Sequence, residues 1–266
     1  MTLLEQSQSP GNGAPSPFVT VLRAPNPGPM TLEGTNTYIL RAPGKKHSII
    51  IDPGPADPTY IATILTTATS DEAEISHLLL THHHADHAAA IPLIEKATGL
   101  QVLSIGTSTL TDGQTLHAEG LTLHVIATPG HTADSTTFRL HEAPLLFTGD
   151  TILGRGTTWL DYPDGTLTDY LHTLHLLSDL LRDKGEHTLL PGHGPTHSYT
   201  APILDAYIQH RTARLRQIRA ARDSGAGTDI EAITNIVYRD QPESVLAAAR
   251  ICVAAQLDHL RHHDTL

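Results

Sequence analysis

Thr81-His82-His83-His84-Ala85-Asp86-His87 places four metal-capable side chains, His82, His84, Asp86 and His87, within six residues. The string closes an apolar run, SHLLLT, that ends at Thr81 and reads as a β-strand. Side chains alternate along an extended backbone, so His82 and His84 point the same way. Asp86 and His87 fall on the turn and helix start that follow, where they can face a second ion beside the first. A solvated polar loop that happens to carry histidines is the plainer alternative. Three further clusters argue against it.

Those clusters are Thr128-Pro129-Gly130-His131-Thr132, Thr148-Gly149-Asp150-Thr151 and Pro191-Gly192-His193-Gly194-Pro195. Each follows an apolar strand and sets glycine beside one metal-capable residue. A lone P-G-H turn says little, but together with the first string these turns complete two coordination spheres. Neutral imidazole and carboxylate favour two zinc ions, with iron or manganese as the other admissible occupants. Two cations a few ångströms apart lower the pKa of a shared water and steady a developing oxyanion, which makes a protein nucleophile unnecessary. The chain carries neither a G-x-S-x-G elbow nor a G-x-x-x-x-G-K phosphate cradle, so serine-hydrolase and nucleotide-triphosphatase chemistry lack their machinery.

Outward from these strings, short β-rich runs alternate with helical stretches from residue 18 to about residue 190, which predicts layered α/β architecture. The strands are read at FVTVLR near Phe18, TYILR near Tyr38, HSIIID ending at Asp52, SHLLLT, LTLHVIAT ending at Thr128 and PLLFT ending at Thr148. DPTYIATILTTAT from Asp57, DHAAAIPLIEKAT from Asp86 and the stretch 166–184 carry apolar residues at helical spacing. The first two open with an aspartate suited to a helix N-terminus. Beyond Pro195 a long amphipathic helix is followed by DIEAITNIVY and ESVLAAARICVAAQLDHL, and no strand-length run remains. A boundary near Tyr199 then separates a catalytic domain, 18–199, from a small helical module, 200–266. Residues 1–17, rich in Ser, Gln, Gly and Pro, read as a disordered tail.

At 266 residues the chain can bury a sizeable core. Its single cysteine, Cys252, excludes an intramolecular disulfide framework and suits a reducing, cytoplasmic location. The N-terminal stretch has neither the basic nor the apolar region of a signal peptide, and no apolar run approaches the roughly 20 residues that cross a bilayer. No membrane partner is expected. A net charge of −11 with histidine neutral disfavours a broad grip on nucleic acid. Since 19 histidines is a high count, position has to decide which of them matter.

The order H-x-H-x-D-H, then His, Asp and His on successive strand ends, resembles the metallo-β-lactamase superfamily at every position, from about residue 18 to Pro195. That resemblance implies a four-layer αβ/βα sandwich. It assigns His82, His84 and His131 to a first metal, Asp86, His87 and His193 to a second, and Asp150 to a bridge, which makes Asp86 and Asp150 the catalytic carboxylates. Asp52, in I-D-P-G, matches the family's early aspartate and would orient a ligand histidine from behind, with a turn or capping role as the alternative.

The superfamily hydrolyses lactams, thioesters and phosphodiesters, so the fold leaves the substrate open. The stretches 26–38 and 149–158 resemble a branch that holds the mitochondrial endoribonuclease β-lactamase-like protein 2 and fungal thioesterases releasing polyketides from carrier protein. Glyoxalase II thioesterases share the ligand pattern and a helical extension. Asn36 and Tyr38 either position substrate at the site entrance or pack a polar strand end on the core. The glycine-hydroxyl loop 154–158 either presents backbone N–H groups to a substrate oxygen or is an ordinary tight turn. Leu160-Asp161-Tyr162-Pro163-Asp164-Gly165 departs from the endoribonuclease pattern and would reshape the mouth of the pocket. The C-terminal helices resemble the winged-helix appendage of the branch, although the sequence ends at Leu266 where a wing would follow. Arg211, Arg214, Arg216, Arg219 and Arg222 form a basic run that is either a solvated face or an RNA contact. The expected substrate is a small thioester or ester. Single-strand-selective endoribonuclease activity, with RNA as partner, is the rival, and a metal-free binding module the non-enzyme alternative. The sequence leaves the oligomeric state open.

Overall fold

Ile49, Ile50 and Ile51 are all fully buried, although alternate side chains leave a strand on opposite faces. Both faces of that strand must therefore be covered, and the computed structural model, which describes residues 16–240 and 242–263, shows how. The first sheet runs in the order β1 (Val19–Arg23), β2 (Asn36–Arg41), β3 (His47–Ile51), β4 (Glu74–Leu79) and β5 (Val102–Leu103). The second is β10 (Thr188–Pro191), β9 (Leu145–Gly149), β8 (Thr136–Leu140), β7 (Leu121–Ala127) and β6 (Thr115–Ala118). Ile49, Ile51 and Leu79 face Val125, Phe138 and Phe147 in a core between the sheets, with the Tyr38 and Phe147 rings edge to face at 5.1 Å. Ile50, Leu78 and Leu80 turn outward onto α1 (Pro58–Ala68) and α3 (Ile91–Thr98). On the far side Leu146 and Leu189 pack against α4 (Leu167–Lys184) and α5 (Thr200–Ala221). Helix, sheet, sheet and helix make the four layers expected.

The strands β5, β6 and β8 are additions to those read from the sequence, while β10 is the short apolar run read just ahead of the His193 turn. β6 and β10 are four residues each and β5 only two, too short to show a period. Asp57 caps α1 as expected, accepting from Tyr60 N at 2.7 Å. The stretch from Asp86 is two helices, α2 (Ala85–Ala88) and α3, because Pro92 has no N–H to give and its ring would strike the carbonyl four residues back. Asp86 lies within α2 and its side chain makes no cap.

Beyond Pro191 no further strand occurs among the described residues; α5, α6 (Ile230–Val237) and α7 (Glu243–His263) follow. Ile203, Leu204 and Tyr207 of α5 and Val253 and Leu260 of α7 join the same apolar cluster as Leu167, Tyr170 and Leu174 of α4. The tail read at 1–17 lies outside the described residues except for Ser16 and Pro17. No helix among those described is long and apolar enough to cross a membrane.

Candidate metal centre

β3 and β4 run parallel, β9 and β10 run parallel, and β7 shares the direction of β9 because both are antiparallel to β8. The segments following β3, β4, β7, β9 and β10 therefore emerge at one edge, and they carry Asp52, the 82–87 string, His131, Asp150 and His193. Two contacts join the sheets there: Thr136 N donates to Thr81 O at 2.9 Å, and Thr35 forms an isolated bridge with His193.

The hydrogen bonds behind the imidazoles settle their tautomers. His131 Nδ1–H donates to Trp159 O (2.7 Å), His84 Nε2–H to Asp161 Oδ2 (3.1 Å) and His87 Nδ1–H to Asp52 Oδ2 (2.9 Å). Thr81 Oγ1 donates to Asp52 Oδ2 at 2.7 Å, which leaves it to accept from His82 Nδ1–H at 3.0 Å. His193 Nδ1 lies 3.4 Å from Gly34 O. In the neutral rings every inward nitrogen then carries a lone pair. His84 Nδ1 meets His131 Nε2 at 3.1 Å, and His87 Nε2 meets His193 Nε2 at 3.1 Å. Facing lone pairs repel unless a cation or proton lies between them.

Two more observations fit a pair of cations. His82 Nε2 and Asp150 Oδ1 are buried without a hydrogen-bond partner, a costly state for polar atoms that a metal ion would relieve. Groups whose donor atoms lie within 4.8 Å of one another include His82 with His84 and His131, Asp86 with His87 and His193, and His82 with His87 and Asp150; two more, His83 with His84 and Asp161 and His83 with Asp134 and Asp164, contain the exposed His83. Asp150 touches both sets: its carboxylate is 3.4 Å from His87 Nε2, 3.4 Å from His193 Nε2 and 3.9 Å from His131 Nε2.

Burial drives His82 well below the usual histidine range and His131 down to about 4, so both stay neutral donors. Burial acts the same way on His87 and His193. There Asp150, with Asp52 and Asp86, outweighs it, raising His87 well above its ordinary value and His193 to about 9. At Asp150 burial favours the neutral acid, but the His193 and His87 charges prevail and hold its carboxyl well below the usual range. Divalent ions would replace those histidine protons.

Several supports escaped the sequence reading. Trp159, the only tryptophan, stacks on His84 (centroids 5.7 Å apart, planes 3° apart) and gives its carbonyl to His131. The loop 160–165 packs under the centre as well as beside it: Asp161 holds His84, and its N–H donates to His131 O at 2.9 Å. Asn36 and Tyr38 prove to be packed strand residues. Asn36 Nδ2 donates to Pro191 O and Gly194 O, and Tyr38 Oη to Pro191 O, so both clamp the turn carrying His193. In the 154–158 loop, Gly154 N is spent on His193 O at 2.9 Å. The basic run is not a solvated face: Arg211 is 3 % exposed and bonds Thr158 O, Arg214 lies over the Tyr238 ring, and Arg216 is exposed.

Gly192 shows how tightly the centre is built. A Cβ there would overlap the Asp150 carboxylate and stand 2.6 Å from His87 Cε1. Gly192→Ala is expected to weaken metal binding about tenfold, because overpacking of roughly 1–3 kcal/mol falls directly on two candidate ligands. Competition against a chromophoric chelator measures it, and wild-type affinity would show that the turn relaxes freely.

Residues 30–108 and 106–193 match the family profile described as the metallo-beta-lactamase superfamily. "Beta-lactamase-like protein 2 homolog" of Caenorhabditis elegans is 35 % identical over 253 residues, spanning 88 % of this chain and 81 % of that protein. "Lactamase-like protein adaB" of Aspergillus niger is 34 % identical over 240 residues, 83 % of this chain and 73 % of that one. Among solved structures, a beta-lactamase domain protein from Burkholderia ambifaria superposes with a TM-score of 0.78 at 20 % identity, covering 94 % of this chain and 87 % of its own.

Proposed function

The chain belongs to the metallo-beta-lactamase superfamily, and from that premise we propose that it is a hydrolase of small esters or thioesters working through two divalent ions, zinc by the character of its donors. The observation that carries the substrate reading is a cavity of about 470 Å³ whose lining joins Asp150 to the apolar Met30, Leu32, Leu153, Val245, Ala248 and Ala249. Its size and apolar walls suit a small acyl group. A reducing, cytoplasmic setting accords with Cys252, which is buried and free.

His82, His84 and His131 would hold one ion, Asp86, His87 and His193 the other, with Asp150 between them. Bound there, the pair supplies a water acidic enough to deprotonate near neutral pH and a Lewis acid for the carbonyl oxygen. The chain's own contribution is orientation. Asp52, Asp161 and the Trp159 carbonyl orient four imidazoles, His82 through Thr81 and His84, His87 and His131 directly, and burial of His87, His131 and His193 keeps bulk water from competing for them.

Purified protein is expected to carry about two zinc-group ions per chain, to cleave acyl thioesters or activated esters, and to lose both activity and thermal stability on chelation, since metal binds the folded site far better than the unfolded chain. Elemental analysis, which also identifies the metal, combined with thermal denaturation tests this. A metal content near zero after metal-replete expression overturns the enzyme reading. Metal-dependent cleavage of single-stranded RNA that falls steeply with salt, with no thioester turnover, would move the substrate to RNA.

A further inference from the structure

The cavity that begins at Asp150 is lined by His210, Arg211 and Arg214 from a single stretch of α5. Asp150 is the only acidic residue among its lining. The arginines are unusual in their partners. Arg211 is buried, gives one terminal nitrogen to Thr158 O, lies 4.9 Å from the Tyr170 ring centroid, and has Nε buried without a hydrogen-bond partner. Arg214 donates to Gln217 Oε1 and Val237 O and sits 4.4 Å over the Tyr238 ring. Among the described residues neither meets a carboxylate, whereas Arg155, also on the cavity wall, is paired with Glu33 at 2.6 Å. His210 Nδ1 is likewise buried without a hydrogen-bond partner. A buried cation costs several kcal/mol unless an anion answers it, and among the described residues no carboxylate pairs with Arg211.

We propose that this stretch of α5 is an oxyanion site for the substrate, so that the hydrolase takes esters or thioesters bearing a carboxylate or phosphate at the end remote from the scissile bond. The scissile carbonyl lies at Asp150, the remote anion meets Arg214 and His210 with Arg211 behind them, and the apolar link between them runs along Leu32, Leu153 and Ala249. Charge-assisted hydrogen bonds to guanidinium are about twice as strong as neutral ones, which makes the anion a selector as well as an anchor. The inference rests on the ester-hydrolase reading for the reacting end of the cavity, but the anion site itself can be tested without turnover.

Calorimetric titration of the metal-loaded protein with glutarate, adipate and suberate is compared with valerate, hexanoate and octanoate. Each pair shares a carboxylate that can approach the metal end and differs only in the second one. At one length or more the diacid is expected to bind at least about tenfold more tightly, the gap closing in Arg214→Met and persisting in part in Arg214→Lys. His210→Phe is the second variant, expected to narrow the gap should Arg214→Met fail to fold. Equal affinities at every length, or a gap undiminished in the variants, overturn the proposal. Hydrolysis of p-nitrophenyl valerate and of mono-p-nitrophenyl glutarate separates the two readings. A diacid preference without cleavage of either ester leaves the anion site standing and removes the ester reading; equal cleavage of both without a diacid preference does the reverse.

Discussion

Asp150→Ala is expected to cost the protein its paired metal and at least about a hundredfold in rate, because this one carboxylate lies against both ligand sets. Removing it takes away the group that holds the two ions together and the negative charge that offsets them. The fold should survive, since Asp150 belongs to none of the three apolar clusters. Two neighbours serve as comparators. His83 stands between two ligands in sequence, but its side chain is 52 % exposed and turned toward Asp134 at 3.0 Å. Asp134 in turn ties Thr132 Oγ1 at 2.8 Å, one residue past His131, without facing either donor set. His83→Ala and Asp134→Ala should keep two ions and lose far less rate. Metal content and kcat/KM measured on the three variants decide it, and equal damage from all three would mean that the carboxylate roles are misassigned.

The contrast between His82 and His83 also shows what made the centre legible. Candidate ligands on a strand end obey the two-residue alternation of extended backbone, so H-x-H reads as a pair pointing one way, with the intervening His83 pointing another. Asp150 and His193 were legible for a related reason: each follows a strand whose apolar residues had to be buried. The layers followed from the same fact, because Ile49, Ile50 and Ile51 need cover on both faces.

What could not be read is what depends on chain segments meeting in space. Nothing local in Leu160-Asp161-Tyr162 says that Asp161 will hold His84, 77 residues away. Asn36 and Tyr38 lie near the site in sequence pattern, yet their polar groups are consumed by carbonyls of the His193 turn, a demand set by burial and not by substrate. The arginine run misled in the opposite direction. Helical spacing sends Arg216 to solvent but sets Arg211 and Arg214, three residues apart, on one face against the cavity, with Arg211 the deeper of the two.

Asp52→Asn should be nearly as harmful as loss of a ligand, although it preserves shape and size. Asp52 has φ of 52°, a left-handed conformation that asparagine also accepts, so the exchange introduces little backbone strain. Its carboxylate acts only as an acceptor: Oδ1 takes Thr81 N at 2.8 Å, and Oδ2 takes both Thr81 Oγ1 and His87 Nδ1. An asparagine that keeps its oxygen toward Thr81 N turns its NH2 on His87 Nδ1. That nitrogen must then accept, the proton moves to Nε2, and the lone pair offered to the metal is gone. Thr81 Oγ1 becomes an acceptor from the same NH2, frees its own hydrogen toward His82 Nδ1, and presses His82, in the other donor set, toward the wrong tautomer as well. Flipping the amide only sets two donors, NH2 and Thr81 N–H, against each other. The expected loss is about 10–100-fold in metal affinity, the range for groups that orient a ligand from behind. A turn or capping residue would tolerate asparagine, so the exchange separates the two roles that the sequence left open for Asp52. Zinc affinity by chelator competition, with circular dichroism confirming an intact fold, is the measurement. Wild-type affinity in Asp52→Asn would leave Asp52 as a turn residue and show that His87 is held in place by other means.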